Sequence, residues 1–105
     1  MKEIIFNRKD YKTHKEFYED VFKKLDGQNN IDFKHIQDLR CSNDELNEFL
    51  WYNHDKSLKY IFVGFDLEKI KEAKNFDDYK LNIAIKVFNR FVSNYPNNSI
   101  EFRNE

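Results

Sequence analysis

The sequence predicts an α/β fold: a small three-stranded parallel sheet with helices packed against it, in the order β-α-(α)-α-β-(α)-α-β. Two observations lead there. Short apolar runs with strand character begin at Lys2, Leu58 and Ser99, at the start, middle and end of the chain. Stretches of helical period, opened by capping residues, lie between them. Strands so far apart in sequence are joined by crossovers rather than hairpins, and a crossover through a helix makes the pair parallel.

The elements follow in order. Ile4, Ile5 and Phe6 make the first strand, which Asn7-Arg8-Lys9-Asp10 ends. Thr13-His14-Lys15-Glu16 is a capping box, in which the Thr hydroxyl accepts from the third helical N–H while Glu16 reaches back. Phe17, Val21, Phe22 and Leu25 follow at helical spacing, and Gly27 with Gln28-Asn29-Asn30 stops the helix. His14, in the first turn, is expected to be exposed. From Ile31 to Leu39, Phe33, Ile36 and Leu39 suit a helical turn or two, which Asp32 could cap. A second capping box, Ser42-Asn43-Asp44-Glu45, opens a short helix with Leu46, Phe49 and Leu50 as its buried stripe. Asn53-His54-Asp55-Lys56 is the loop after it.

Leu58 to Phe65 is apolar on both faces, so this strand is central in its sheet or covered on both sides. Asp66 can cap a brief helix holding Leu67, Ile70 and Ala73. Asp77 or Asp78 starts the longest helix, whose stripe is Leu81, Ala84, Ile85, Phe88, Phe91 and Val92, widened by Ile83 and Val87. Tyr95-Pro96-Asn97-Asn98 is a turn, and Ile100 and Phe102 alternate with Ser99, Glu101 and Arg103 in a last short strand.

The composition narrows the function. A chain of 105 residues builds one core, so a single domain over residues 1–105 is expected. Apolar residues at 40%, with two glycines and one proline, argue against a disordered or linker-rich chain. A net charge of −1 gives no global basic field, so no nucleic-acid partner is expected. The cations Lys69, Lys71, Lys74, Lys80, Lys86 and Arg90 are scattered among acids and read as a solvated helix face. The single cysteine, Cys41, forms no internal disulfide and fits a reducing compartment. Only Ile4 to Phe6 are consecutively apolar near the start, so no signal peptide is expected. The run Tyr60 to Phe65 is far shorter than a membrane span. These features predict a cytoplasmic chain with no membrane partner.

Most enzymatic signatures are absent. Glycines only at 27 and 64 leave no phosphate-cradling loop, and His14, His35 and His54 lack paired metal-ligand spacing. No enzymatic activity and no cofactor are expected. One alternative is a small metal-dependent enzyme that gathers His35, Cys41 and His54 in space, and another is a generic adaptor domain.

The charge distribution is more telling than its sum. From Ile31 to Asp55 six acids face two bases, a local net of −4, and the rest of the chain carries +3. Asp44 and Glu45 suit a helix start, where acids favour the dipole. Glu48 does not, and with Asp44 four residues before it the two like charges share a face and repel slightly. Next to Trp51 and Tyr52, that arrangement resembles an acidic binding surface with aromatic anchors. A solvated helix face is the competing reading.

The element order together with this motif resembles the barstar family of intracellular ribonuclease inhibitors, in the simplified order β-α-α-β-α-β. The stretches that carry the resemblance are "KEIIFNRKDYKTHKEFYEDVFKKL", "LKYIFVGFD", "LNIAIKVFNRFVSNYP" and "NSIEFRNE". The family's Tyr-Gly-x-Asn-x-Asp-Ala-Leu-x-Asp-x-Leu motif is matched in part. Asn43 falls on its Asn and, with one residue deleted, Asp44 on its first Asp, Leu46 and Leu50 on the leucines, and Glu48 on the second acid. Arg40, Cys41 and Glu45 stand where the motif has Tyr, Gly and Ala, and the loop from Gly27 to Arg40 is longer. In that family the motif acids enter a ribonuclease active site in place of substrate phosphates. The resemblance therefore implies an immunity protein, of the kind paired with contact-dependent growth-inhibition toxins, that blocks a cognate nuclease toxin domain as a monomer in a 1:1 complex. The toxin-binding residues expected are Asp38, Asn43, Asp44, Glu45, Glu48, Trp51, Tyr52 and Asp55.

Overall fold

Phe6, Phe62 and Phe102 lie side by side across the middle of a parallel sheet, with ring centroids 5.4 and 5.5 Å apart. They belong to β1 (Lys2–Asn7), β2 (Leu58–Val63) and β3 (Ser99–Arg103), arranged in the order β1-β2-β3. The structure, a computed structural model, describes residues 2–25, 43–66, 68, 72, 73 and 75–104, at 43–45 the backbone alone. Both pairings are parallel, with Ile4 opposite Tyr60 opposite Ile100, and Phe6 opposite Phe62 opposite Phe102. The fold is the α/β architecture expected, and β2 is central. Its two-sided apolar pattern follows from that position, because a central strand has neighbours on both edges and little access to water on either face.

Three helices complete the described fold: α1 (His14–Lys24), α2 (Asn43–Trp51) and α3 (Phe76–Asn94). The strands step across the sheet in chain order. Right-handed crossovers that step in one direction place their helices on one face. The core agrees with this. Phe17 of α1 and Phe88 of α3 both meet the Phe6/Phe62 row, Phe88 edge-on to Phe62 at 5.1 Å and Phe17 edge-on to Phe6 at 5.5 Å. Edge-to-face aromatic packing of this kind adds about 0.5–1.5 kcal/mol per pair beyond burial. On the reverse face Ile61 is fully buried while Ile5 beside it is 46% exposed, and Lys59 pairs with Glu101 at 3.0 Å.

The first helix starts as expected. Thr13 accepts from the Glu16 N–H at 3.3 Å and the Glu16 carboxylate takes the Thr13 N–H at 3.2 Å. A single turn of 3-10 helix over Arg8–Asp10, which the sequence did not suggest, joins β1 to it, with Asn7 as its cap. The predicted helical turns between Ile31 and Leu39 and the brief helix at Leu67 and Ile70 lie outside the described residues. Asp66 does accept from the Glu68 N–H at 3.0 Å, as a cap should.

Two expectations need correction. The longest helix begins at Phe76, not at Asp77 or Asp78, because Asn75 is its cap and accepts from the Asp78 N–H at 2.8 Å. That releases Asp77 for another task, and it changes His14. The His14 side chain is only 17% exposed. Its Nδ1 lies 2.6 Å from the Asp77 carboxylate, and the same oxygen accepts the His14 backbone N–H at 3.0 Å. Asp77, in the first turn of α3, thus serves the N-terminus of α1 as well, where an anion is favoured.

The core carries two polar residues of note. Asn98 is 2% exposed, and its side-chain oxygen accepts the Leu58 N–H at 3.3 Å, tying the turn before β3 to the start of β2. Tyr60 is fully buried with a hydroxyl that has no hydrogen-bond partner among the described residues, and burial alone pushes its phenol pKa up.

Candidate functional site

The helix α2 is short, and its burial follows the sequence pattern. Leu46, Phe49 and Leu50 are all fully buried, with Phe49 edge-on to Phe22 of α1 at 4.7 Å. At 3.6 residues per turn, these three occupy one side of the helix and positions 44, 48 and 51 fall on the opposite side. Glu48 is exposed and Trp51 is 51% exposed. No described residue pairs with the Glu48 carboxylate. The last turn of α2 holds no base. An acid there faces the negative end of the helix dipole, an unfavourable position worth about 0.3–1 kcal/mol. Glu48 therefore opposes helix stability rather than supporting it.

The helix ends without glycine, and side chains do the capping instead. Asn53, 1% exposed, donates from Nδ2 to the Phe49 carbonyl at 3.1 Å, and its backbone N–H takes the Leu50 carbonyl at 3.0 Å. The Trp51 carbonyl accepts the His54 N–H at 3.0 Å and faces the His54 Nδ1 at 2.7 Å. Carbonyls that a helix leaves unpaired are thus satisfied by the next turn of chain. Asn97 then holds that turn from the far side, donating to the carbonyls of His54 at 3.1 Å and Lys56 at 2.8 Å.

This capping fixes an aromatic cluster beside Glu48. The His54 ring stacks on the Trp51 indole at 5.0 Å with planes 14° apart, Tyr52 meets the indole at 5.8 Å, and Tyr95 lies behind His54 at 5.5 Å. Asp55 is exposed on the same turn. Of the residues expected from the sequence, the structure brings together Glu48, Trp51, Tyr52 and Asp55 at the C-terminal end of α2. Asp38 lies outside the described residues, as do the side chains of Asn43, Asp44 and Glu45, whose backbone forms the first turn of α2. Sequence reasoning missed His54 as a stacking partner and Tyr95 altogether. The signal for His54 was its position three residues after Trp51. Tyr95 had none, because its proximity comes from α3.

A hollow of about 260 Å³ lies between the 3-10 turn and α1, lined by Asp10, Tyr11, Glu16, Glu19, Asp20, Lys23 and Lys24. Three of its groups, Tyr11, Asp20 and Lys24, are tied to one another. The Tyr11 hydroxyl bonds to Asp20, which also meets Lys24 at 2.9 Å, and Lys24 reaches the Ile5 carbonyl at 2.6 Å. Burial, then the bond to Asp20, raise the Tyr11 pKa, so its phenol stays protonated. Among the described residues no group of three or more His, Cys, Asp or Glu could hold a metal, and His35 and Cys41 lie outside them. Among them, too, no helix is long and apolar enough to cross a membrane. What the α2 end offers chemically is recognition: carboxylates and aromatic faces on a rigid support.

Comparison with protein families, with curated proteins and with solved structures found no match to this chain.

Proposed function

We propose that this chain is a cytoplasmic immunity protein that binds the active site of a cognate nuclease toxin, a ribonuclease in the first instance, through the outer face of α2. One observation supports this above the rest. An exposed acid, Glu48, sits where the helix dipole disfavours it, beside a Trp51 that is 51% exposed, on a helix whose other side is fully buried. A nuclease active site is cationic because it binds phosphates, so its inhibitor presents carboxylates at the matching place. Held by Leu46, Phe49 and Leu50, those carboxylates are pre-organised, and little backbone freedom is lost on binding. Trp51 and Tyr52 supply the aromatic anchors that dominate such interfaces.

The test uses the purified chain and a toxin nuclease domain identified in a gene adjacent to its own, with binding read by calorimetry and function by protection of RNA from cleavage. The Asp44→Lys/Glu48→Lys double variant should weaken binding by about 3 kcal/mol, roughly two orders of magnitude. Its unfolding free energy should stay within about 1 kcal/mol of the parent, since Glu48 is exposed and both sites lie on the outer side of the helix. Undiminished protection by the double variant would remove the acidic face from the mechanism.

A further inference from the structure

The exposed face of Trp51 has an elaborate backing. Behind the indole lies the His54 ring, behind that Tyr95, and behind Tyr95 the ring of Phe91 at 4.8 Å, itself 5% exposed. Four rings thus run from solvent into the core. His54 is fixed in this series at three points: its N–H and its Nδ1 on the Trp51 carbonyl, and its own carbonyl under Asn97. A carbonyl only accepts, so Nδ1 carries the proton, and the ring orientation is set by that bond.

We propose that His54 is a positioning residue of the binding surface: it backs the Trp51 indole so that the outer face of the indole is held ready for a partner protein with a cationic docking surface. This rests on the reading of α2 as the partner-binding face. Glu48, three residues before Trp51 on α2, and Asp55, on the turn after it, are both exposed, and the last turn of α2 holds no base, so this end of the helix suits positive charge. An exposed aromatic with no support samples rotamers that binding must then freeze, which costs affinity. The flat stack on His54 removes that freedom in advance.

Trp51 is the only tryptophan in the chain, so time-resolved fluorescence anisotropy reads its motion directly. In the parent the indole should turn with the whole molecule. His54→Ala should at least about double the amplitude of the fast, nanosecond depolarisation. His54→Phe restores a ring without the Nδ1 bond and should recover most of the parental decay, while circular dichroism shows all three folded. If His54→Ala does not fold, Tyr95→Leu, which removes the ring behind His54, carries the same expectation and the same refutation. Toward the toxin domain, His54→Ala should lose about threefold to tenfold in affinity and His54→Phe regain it. An indole equally rigid without His54, or equally loose with Phe in its place, overturns the proposal. Because the anisotropy needs no partner, that failure leaves the acidic-face reading standing. Failure of the Asp44→Lys/Glu48→Lys test would remove that reading without changing the anisotropy.

Discussion

Phe49 and Trp51 are two residues apart on one helix, and truncating each to alanine should have sharply different consequences. Phe49 is fully buried, and its ring lies 4.7 Å from Phe22, a contact between α2 and α1. Phe49→Ala removes a buried ring and leaves a cavity that rigid neighbours on two helices cannot close, so the cost should be about 3–5 kcal/mol. Trp51 is 51% exposed. A fully buried aromatic covers about 150–250 Å², so half of that, roughly 100 Å² at about 25 cal/mol per Å², gives about 2.5 kcal/mol as an upper value. Alanine keeps part of that burial and the unfolded chain is itself partly collapsed, which reduces the expected cost to about 1–2 kcal/mol. Urea unfolding followed by circular dichroism measures both, since the indole signal is lost in one variant. Domains of this size hold about 5–15 kcal/mol, so Trp51→Ala should stay folded while Phe49→Ala is strongly weakened. Equal losses, or unfolding of Trp51→Ala, would refute the placement of Trp51 on the outside of α2.

Other variants probe particular atoms. Tyr60→Phe removes a buried hydroxyl that has no partner among the described residues, so stability should hold or rise by up to about 1 kcal/mol in the same assay, where most core changes lower it. Asn98→Ala strands the buried Leu58 N–H and should cost about 1–3 kcal/mol. Asp77 is held below the usual carboxylate range by the His14 N–H and then the His14 ring. Its contribution is therefore complete above the unfolded carboxylate value and disappears as pH falls through the lower folded value. With the side chain 38% exposed, solvent screening leaves about 0.5 kcal/mol. Asp77→Asn should be weaker than the parent by that amount at neutral pH, with the gap closing below about pH 4 in pH-dependent melts.

The sequence by itself determined the three strands, the order of the described elements and the buried faces of the three described helices, and it left β2 as either central or covered on both sides. The reason is that burial is periodic: Leu46, Phe49 and Leu50, or Phe17, Val21 and Phe22, declare their side by spacing alone. The Thr13–Glu16 capping box was equally legible, because both partners lie within one turn. Local signals fail where partners are distant. Asp77 looked like the start of its own helix, but it also serves the N-terminus of α1, sixty-three residues away, and that contact is what draws His14 out of solvent. The acids of α2 were visible as a charge imbalance, but spacing could not say which of Trp51's neighbours would cover it. Only the packing of α3 brings Tyr95 behind His54, and the Asn97 bonds, from about forty residues further along the chain, help the local caps hold the turn that stacks His54 on the indole. Periodic burial is a property of each segment and can be read one segment at a time. The support of an exposed aromatic depends on where two segments far apart in the chain come to rest.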